Sequence, residues 1–197
     1  MISYTTFKQV ESYINNPQLS ICELGDQKTC SNWPSDICQS DMYFKNVFSH
    51  LNITNIDLNG KNGSLALNLS EIIPSEYHNK FDVVTNFGTS EHVSNQYSVW
   101  KNIFLLLKPN GIVISEIPYI HNWPNHCKYY VTDTTFESMN ADFSIVSKSF
   151  TKWERDGLLH LSVLKKIHNG EFKTSESTII SNIHIISDNF IDYQSLG

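Results

Sequence analysis

Short apolar runs recur along the first 118 residues of the chain. The runs at 19–24, 80–87 and 111–118 have the composition of strands. The second and third of these are apolar on both faces, which is typical of strands covered on both sides. Shorter runs at 53–58 and 65–69 predict two further strands, the latter by its alternating apolar residues.

Helical periodicity fills several of the intervals between these runs. Apolar residues at helical spacing predict helices over 4–16, 41–51 and 91–109. A Pro-Asn-Gly sequence at 109–111 ends the third of them. Because strands alternate with helices, we expect a parallel sheet with right-handed crossovers.

The pattern changes in the second half of the chain. The segments 143–150 and 158–167 alternate and flank a turn at 155–157, which predicts a β-hairpin. A helix-start signal lies in 132–141, and 177–187 fits either a strand or a helix. The predicted arrangement is therefore a parallel sheet that ends in an antiparallel hairpin.

Composition narrows the class of protein. A chain of 197 residues, 40% hydrophobic and 17% charged, suits one globular domain, with a leading helix in 1–18, a core in 19–167 and an extension in 168–197. The formal net charge of -6 argues against broad nucleic-acid binding. We expect a cytoplasmic protein without membrane association, because no apolar run is long enough to span a membrane and the N-terminal sequence does not resemble a signal peptide.

The cysteines do not indicate a metal site. Cys22, Cys30, Cys38 and Cys127 match no common zinc spacing. In a reducing cytoplasm they are expected to be free thiols, and no bound metal is predicted.

Four motifs, in a fixed order, carry a resemblance to a known family. They are ICELGD (21–26), NIDLNG (55–60), FDVVTNFGTSEHV (81–93) and IFLLLKPNGIVISEIP (103–118). Together they resemble the class I S-adenosylmethionine-dependent methyltransferases, of the type 11-like group, and the resemblance covers residues 19–167. Asn110 replaces one glycine of the family's Leu-Lys-Pro-Gly-Gly turn.

The resemblance implies both a fold and an activity. The fold is a Rossmann-like three-layer α/β sandwich, with a mostly parallel seven-stranded sheet that ends in an antiparallel hairpin. The activity is methyl transfer from the cofactor S-adenosylmethionine to an acceptor. The short chain and its negative charge favour a small-molecule or sugar-like acceptor as partner.

The resemblance also places a cofactor pocket at the carboxyl ends of the strands, where open α/β sheets bind ligands. Gly25 permits close approach because it has no Cβ atom, and Asp57 offers a carboxylate to the ribose hydroxyls. The implied contacts are Glu23, Gly25, Asp57, Leu58, Asn68, Leu69, Asn86, Phe87 and Gly88. Each also has a structural explanation, such as a turn for Gly25 or core packing for Phe87.

The loop after Gly25 departs from the family. Asp26, Gln27 and Lys28 stand where the family has further glycines. These residues must curve away from the methionine part of the cofactor or use their side chains there. We therefore expect ordinary recognition of ribose and adenine and an unusual methionine end.

Methyl transfer from a sulfonium depends mainly on orientation, and a base is needed only if the acceptor must lose a proton. Candidate bases are Glu91 and His92, after the fourth strand, and His121 and His126, in a polar and aromatic loop at 121–130. The alternative is that Glu91 and His92 only begin a helix, and that the loop aromatics only anchor it to the core.

Two other functions remain open at this point. The altered glycine loop favours a non-catalytic binding protein with the same fold. Less favoured is a hydrolase that uses Ser90 as nucleophile, since His92 stands where the nucleophile motif requires glycine. A nicotinamide oxidoreductase is weaker still, because the Gly-x-Gly-x-x-Gly motif is absent after the first strand.

Overall fold

A computed structural model of the chain describes residues 1–30, 32–37, 41–153 and 157–186. The strands in these residues are β1 (Ser20–Leu24), β2 (Asn52–Asp57), β3 (Leu65–Ala66), β4 (Phe81–Phe87), β5 (Leu107–Pro118), β6 (Tyr129–Val131), β7 (Phe143–Trp153), β8 (Gly157–Lys166) and β9 (Ile183–Ile185). The α-helices are α1 (Tyr4–Ile14), α2 (Phe44–Val47), α3 (Gln96–Leu106) and α4 (Glu176–Ser181). Of the helices in this part of the chain, none is long and apolar enough to cross a membrane.

Seven strands form one sheet in the order β3-β2-β1-β4-β5-β8-β7. The first five along the chain are parallel to one another, whereas β8 is antiparallel to both β5 and β7. The predicted mostly parallel sheet with a terminal hairpin is confirmed. At Ile21, β1 pairs with Ile53 of β2 on one side and Val83 of β4 on the other. The strand order reverses between β1 and β4, and such a reversal opens a crevice at the carboxyl ends of the strands.

Apolar side chains cover both faces of the sheet. On one face, α3 contributes Trp100, Ile103 and Phe104 to the larger buried cluster. On the other face, Phe7 of α1 and Phe44 of α2 belong to a second cluster. The predicted three layers are therefore present.

The helix predicted over 41–51 is wrong in extent, because α2 spans only Phe44–Val47. Tyr43 forms an isolated bridge with Lys28, and Asp41 has a positive φ of 63°. These tertiary constraints hold the preceding residues outside helical geometry. An aromatic cluster of Phe7, Trp33 and Phe48 covers this part of the sheet.

Two other predicted elements are shorter than their sequence patterns suggest. The third strand ends at Ala66 instead of residue 69, since the Asn68 side chain accepts a hydrogen bond from the Ser70 amide at 3.0 Å and closes a turn. The helix predicted over 91–109 is divided into a 3-10 turn at Ser90–His92 and α3. The predicted end at 109–111 is wrong, because α3 ends at Leu106 and these residues belong to β5.

The C-terminal half contains the predicted hairpin and a smaller sheet. The turn predicted at 155–157 lies mainly outside the described residues. The helix-start signal in 132–141 yields only a 3-10 turn at Glu137–Met139. The segment 177–187, left open above, holds the end of α4 and then β9, which pairs antiparallel with β6.

Asp142 ties the described part of the extension to the core. Its carboxylate is fully buried and accepts hydrogen bonds from the amides of Lys173 at 2.8 Å and Thr174 at 2.7 Å. His168 Nε2 lies 3.0 Å from the same carboxylate. Residues 168–174 are therefore fixed against the hairpin.

A buried lysine closes the C-terminal end of α3. Lys166 Nζ donates hydrogen bonds to the carbonyl oxygens of Phe104 at 2.9 Å and Leu107 at 2.8 Å, and to Asn79 Oδ1 at 3.0 Å. Burial lowers the pKa of this ammonium. Its charge satisfies carbonyl groups that the end of a helix leaves without partners.

The cysteines at 22, 30 and 127 are all buried. Burial raises the pKa of the Cys22 thiol, so this thiol is protonated and chemically inert. Cys38 lies outside the described residues.

Candidate functional site

A cavity of about 560 Å³, here called the larger cavity, opens at the carboxyl ends of β1, β2 and β4. Six of the predicted cofactor contacts line it: Gly25, Asp57, Leu58, Asn68, Leu69 and Gly88. His92 lies on the same wall. The parallel sheet places these residues together because the strands carrying them end at the same edge.

Asp57 is held rigidly at the end of β2. Its Oδ2 accepts a hydrogen bond from the Asp26 amide at 3.1 Å, and its Oδ1 accepts one from the Asn59 amide at 3.0 Å. Each carboxylate oxygen can accept more than one hydrogen bond. The carboxylate therefore keeps acceptor capacity for a ligand in the larger cavity.

Three predicted contacts lie in the core instead of along this wall. Asn86 Nδ2 donates to the hydroxyl oxygens of Ser90 at 2.8 Å and Ser115 at 3.0 Å, so its amide fixes the turn after β4. Phe87 is buried against Phe44. Glu23 is also buried, and a cofactor contact for these residues stays a prediction.

The Glu23 carboxyl is an unusual group for a protein interior. Neither of its oxygens makes a well-formed hydrogen bond. Burial, followed by the negative charge of Asp26, raises its pKa well above the usual range, and the Gln27 amide offsets little of this rise. Glu23 therefore favours the neutral, protonated form.

Two side chains occupy the space next to Gly25. Gln27 Nε2 donates to Thr89 Oγ1 at 2.9 Å, and Thr89 Oγ1 donates to the Leu24 carbonyl oxygen at 2.7 Å. Gly25 has a φ of 79°, and a Cβ atom there would lie 2.6 Å from both the Gln27 amide nitrogen and the Thr89 hydroxyl oxygen. We call this pair the Gln27–Thr89 bridge.

The Gln27–Thr89 bridge occupies the position where the family has further glycines. Gln27 uses its side chain at this position, while Asp26 turns toward β2 and accepts hydrogen bonds from Asn55 and Asn62. Both were alternatives for the altered loop. The sequence patterns did not identify Thr89 as a site residue. Its position directly after Gly88, at the end of a strand, could have identified it.

A smaller cavity of about 170 Å³ adjoins the larger one at Gly88, which borders both. Its other lining residues are Met1, Glu91, Glu116, Pro118, Trp123, His126 and Leu159. Glu116 Oε1 accepts hydrogen bonds from the hydroxyls of Thr6 and Thr151, and burial raises the pKa of this carboxyl. The smaller cavity is therefore lined by carboxyl groups as well as by aromatic and apolar side chains.

Three of the four candidate bases, Glu91, His92 and His126, lie together, and two of them, Glu91 and His126, line the smaller cavity. The Nε2 atoms of His92 and His126 lie 3.8 Å and 3.9 Å from Glu91 Oε1. The Glu91 side chain is fully buried. His121 instead contacts His184, with their ring centroids 5.5 Å apart.

Comparison with known proteins agrees with this geometry. A family model described as a methyltransferase domain matches residues 42–115. A search of curated proteins gives no match. Among solved structures, a 1,6-didemethyltoxoflavin-N1-methyltransferase from Burkholderia thailandensis, with bound S-adenosylhomocysteine, is similar with a TM-score of 0.58 and 14% identity over 84% of this chain and 78% of that one.

This chain has the class I methyltransferase fold. A second similar structure, an S-adenosylmethionine-dependent methyltransferase from Methanosarcina mazei, has a TM-score of 0.56 and 15% identity over 82% of this chain and 98% of that one. The resemblance stated from the four motifs is confirmed. A third, the [4+2]-cyclase SpnF, has a TM-score of 0.57 and 12% identity over 84% of this chain and 80% of that one. A class I methyltransferase fold alone does not determine the reaction.

The hydrolase alternative finds no support within the class I methyltransferase fold. Ser90 is 1% exposed, and its hydroxyl accepts a hydrogen bond from Asn86. A serine hydrolase also requires a histidine beside its nucleophile. His160, which follows Ser90 in the chain, has its Nδ1 2.9 Å from the Ser162 hydroxyl instead. Ser90 is therefore a structural residue of the turn after β4.

Proposed function

We propose that the chain is an S-adenosylmethionine-dependent methyltransferase that binds its cofactor in the larger cavity. The observation that carries this proposal is the position of Asp57. It is a fixed carboxylate at the end of β2, beside the strand reversal, on one wall with Gly25 and Gly88. Ligands of open α/β sheets bind at such a reversal.

In this proposal the nucleoside part of the cofactor lies between β2 and the residues after β3. The Asp57 carboxylate accepts hydrogen bonds from the ribose hydroxyls. Leu69 packs on the adenine ring, and the neighbouring Asn68 amide contacts the edge of the base. Asn68 and Leu69 line the larger cavity, so both positions are accessible to a ligand.

The methionine part of the cofactor meets the Gln27–Thr89 bridge in place of a glycine backbone. The Thr89 hydroxyl already donates to Leu24, and the Gln27 side-chain oxygen already accepts a hydrogen bond from the Met1 ammonium. The second N–H of the Gln27 amide and the remaining lone pairs of the two oxygens suit the carboxylate and ammonium of methionine. The positively charged sulfonium and its methyl group then lie near Gly88, where the two cavities adjoin.

The acceptor occupies the smaller cavity. A volume of about 170 Å³ fits a small acceptor or one small group of a larger molecule. Trp123 provides an aromatic wall, and His92 or His126 takes a proton if the acceptor must lose one. We therefore propose a small-molecule or sugar-like acceptor.

Calorimetric titration of the full chain with S-adenosylhomocysteine tests the cofactor site. We expect binding to the native chain and a loss of at least tenfold in affinity for Asp57→Ala, since hydrogen bonds to a charged group contribute about 1.5–3 kcal/mol. Asp36→Ala is the matched control, because Asp36 is exposed, and its affinity should equal that of the native chain. No heat of binding at high protein concentration would contradict the proposal.

A non-catalytic binding protein is the second candidate, and the Gln27–Thr89 bridge is the observation that favours it. If the bridge closes the methionine subsite, a nucleoside without methionine would bind more tightly than the complete cofactor. Titration with adenosine and with S-adenosylhomocysteine separates the two candidates, since the methyltransferase proposal requires the complete cofactor to bind more tightly.

A further inference from the structure

We propose that Glu91, His92 and His126 bind one divalent transition-metal ion, with zinc as the representative ion, at the rim of the smaller cavity. One ligand atom from each residue lies within 4.8 Å of the other two. Two imidazoles and one carboxylate are a donor set that suits Zn²⁺ and neighbouring first-row metals. The site contains no cysteine, so the cysteine spacing gave no signal for it.

The two distances from the Glu91 carboxylate to the histidines are close to those of a formed site. Zinc binds histidine nitrogen and carboxylate oxygen at about 2.0–2.2 Å, and tetrahedral angles then place the ligand atoms about 3.4 Å apart. The Glu91 oxygen lies 3.8 Å and 3.9 Å from the two histidine nitrogens. A contraction of about 0.5 Å, within reach of side-chain rotation, completes these two contacts.

The 3-10 turn that carries two of the ligands is well anchored. Asn86 Oδ1 accepts a hydrogen bond from the Ser90 amide at 3.0 Å. Gln96 Nε2 donates to the carbonyl oxygens of Ser90 and Val93, both at 2.7 Å. Glu91 and His92 are therefore held by contacts on both sides of their backbone.

The third ligand comes from a loop whose path is also fixed. The His126 ring stacks on Trp123, with centroids 3.8 Å apart and an angle of 13° between the planes. Tyr130 Oη donates to the Trp123 carbonyl oxygen at 2.9 Å. These two contacts fix the path of the loop and hold the His126 ring beside Glu91.

The environment leaves room for a further ligand. The side chains of His92 and His126 are only 11% and 12% exposed, so the ion would be largely shielded from bulk water. Glu91 and His126 line the smaller cavity. Three protein ligands and an open fourth position are typical of catalytic zinc sites. If the proposed function holds, an oxygen or nitrogen of the acceptor takes the fourth position. The ion would then lower the pKa of an acceptor hydroxyl, in place of His92 or His126 acting as a free base.

Metal titration of the untagged full chain, after treatment with a chelator, tests the site. We expect one Zn²⁺ per chain by calorimetry, and Co²⁺ absorption bands of a four- or five-coordinate site. His126→Ala and Glu91→Gln should each weaken Zn²⁺ binding at least tenfold. Two controls, His121→Ala in the same loop and the exposed His50→Ala, should bind as the native chain does.

Absence of stoichiometric binding would overturn the inference, as would Zn²⁺ binding that His126→Ala leaves unchanged. Either result would mean that these three side chains contact one another without binding a metal ion. Circular dichroism establishes whether each variant is folded. If Glu91→Gln is not folded, the result for His126→Ala alone decides the test. S-adenosylhomocysteine titration of the same samples distinguishes failure of the metal site from failure of the proposed function, because the metal readout requires no cofactor.

Discussion

At the scale of single residues, the Gln27 amide occupies space that a glycine loop would leave empty. If this amide contacts the methionine part of the cofactor, Gln27→Ala should lower the affinity for S-adenosylhomocysteine about two- to tenfold, because one hydrogen bond contributes about 0.5–1.5 kcal/mol. Calorimetry measures this change. Gln18→Ala is the control, since Gln18 is an exposed glutamine.

An increase in affinity for Gln27→Ala would contradict this prediction. It would mean that the Gln27–Thr89 bridge obstructs the methionine subsite and would favour the non-catalytic alternative. Thr89→Ser keeps the hydroxyl, and so should preserve native affinity if the hydrogen bond is what matters.

His160 makes stability depend on pH. It packs among Tyr119, Phe136 and Phe150, and burial, with a smaller contribution from the charge of Lys148, lowers its pKa from 6.5 to about 4. Between these values the unfolded chain binds a proton that the folded chain does not. Stability from this group is therefore complete above pH 6.5 and is lost as the pH falls toward 4.

Replacement of His160 should remove this loss. We expect the free energy of unfolding of His160→Gln, relative to the native chain, to rise as the pH falls from 6.5 to 4, by less than the ~1.4 kcal/mol per pH unit of a full proton difference. Urea denaturation at several pH values measures it. Parallel curves for the two proteins would contradict the prediction. Glu23 and Glu116 have raised pKa values, so they should make both proteins more stable as the pH falls. Because this trend is common to both proteins, it cancels when one free energy of unfolding is subtracted from the other.

Sequence reasoning placed some site residues better than others, for a physical reason. Gly25 and Asp57 end adjacent strands, so their chain positions alone determine that they meet at one edge of the sheet. Glu91 and His126 are 35 positions apart, and a loop with positive φ at Trp123 and Asn125 joins them in space. Tertiary contacts select such backbone conformations, and sequence patterns do not reveal them.

At the scale of elements, the junction between α3 and β5 depends on Lys166. Replacing it by Met keeps much of the volume but leaves the carbonyl groups of Phe104 and Leu107 without their donor. We expect Lys166→Met to lower the free energy of unfolding by roughly 2–4 kcal/mol. Urea denaturation measures this change.

The neighbouring lysine provides the control for this experiment. Lys165 is only partly buried, so Lys165→Met should change the free energy of unfolding by less than about 0.5 kcal/mol. Equal effects of the two substitutions would show that the buried ammonium does not stabilise the junction.

The elements predicted best are those whose own pattern determines them. β4 is mainly apolar, and the segments that form β7 and β8 alternate, so these predictions required no knowledge of a partner strand. The segment 41–51 has helical periodicity, yet the bridge between Lys28 and Tyr43 limits α2 to a single turn. Periodicity describes only local preference, and tertiary pairing overrides it there.

At the scale of the whole molecule, alternation of strands and helices was sufficient to predict the parallel sheet. The alternating residues in 143–150 and 158–167 predicted its terminal hairpin, and the family resemblance implied the three layers. These patterns were not sufficient for the segment between β1 and α2. There an aromatic cluster that includes Phe7, Trp33 and Phe48 covers the sheet. Contacts between distant aromatic residues leave no periodic signal, so this departure from a helical crossover was unpredictable.

The position of β1 inside the sheet also bears on how the chain folds during synthesis. β1 pairs with β2 on one side, but its other edge pairs with β4 at residues 81–87. A nascent chain therefore exposes one edge of β1 until about sixty further residues have been added. The same strand reversal that opens the crevice at the carboxyl ends of the strands delays completion of the central sheet.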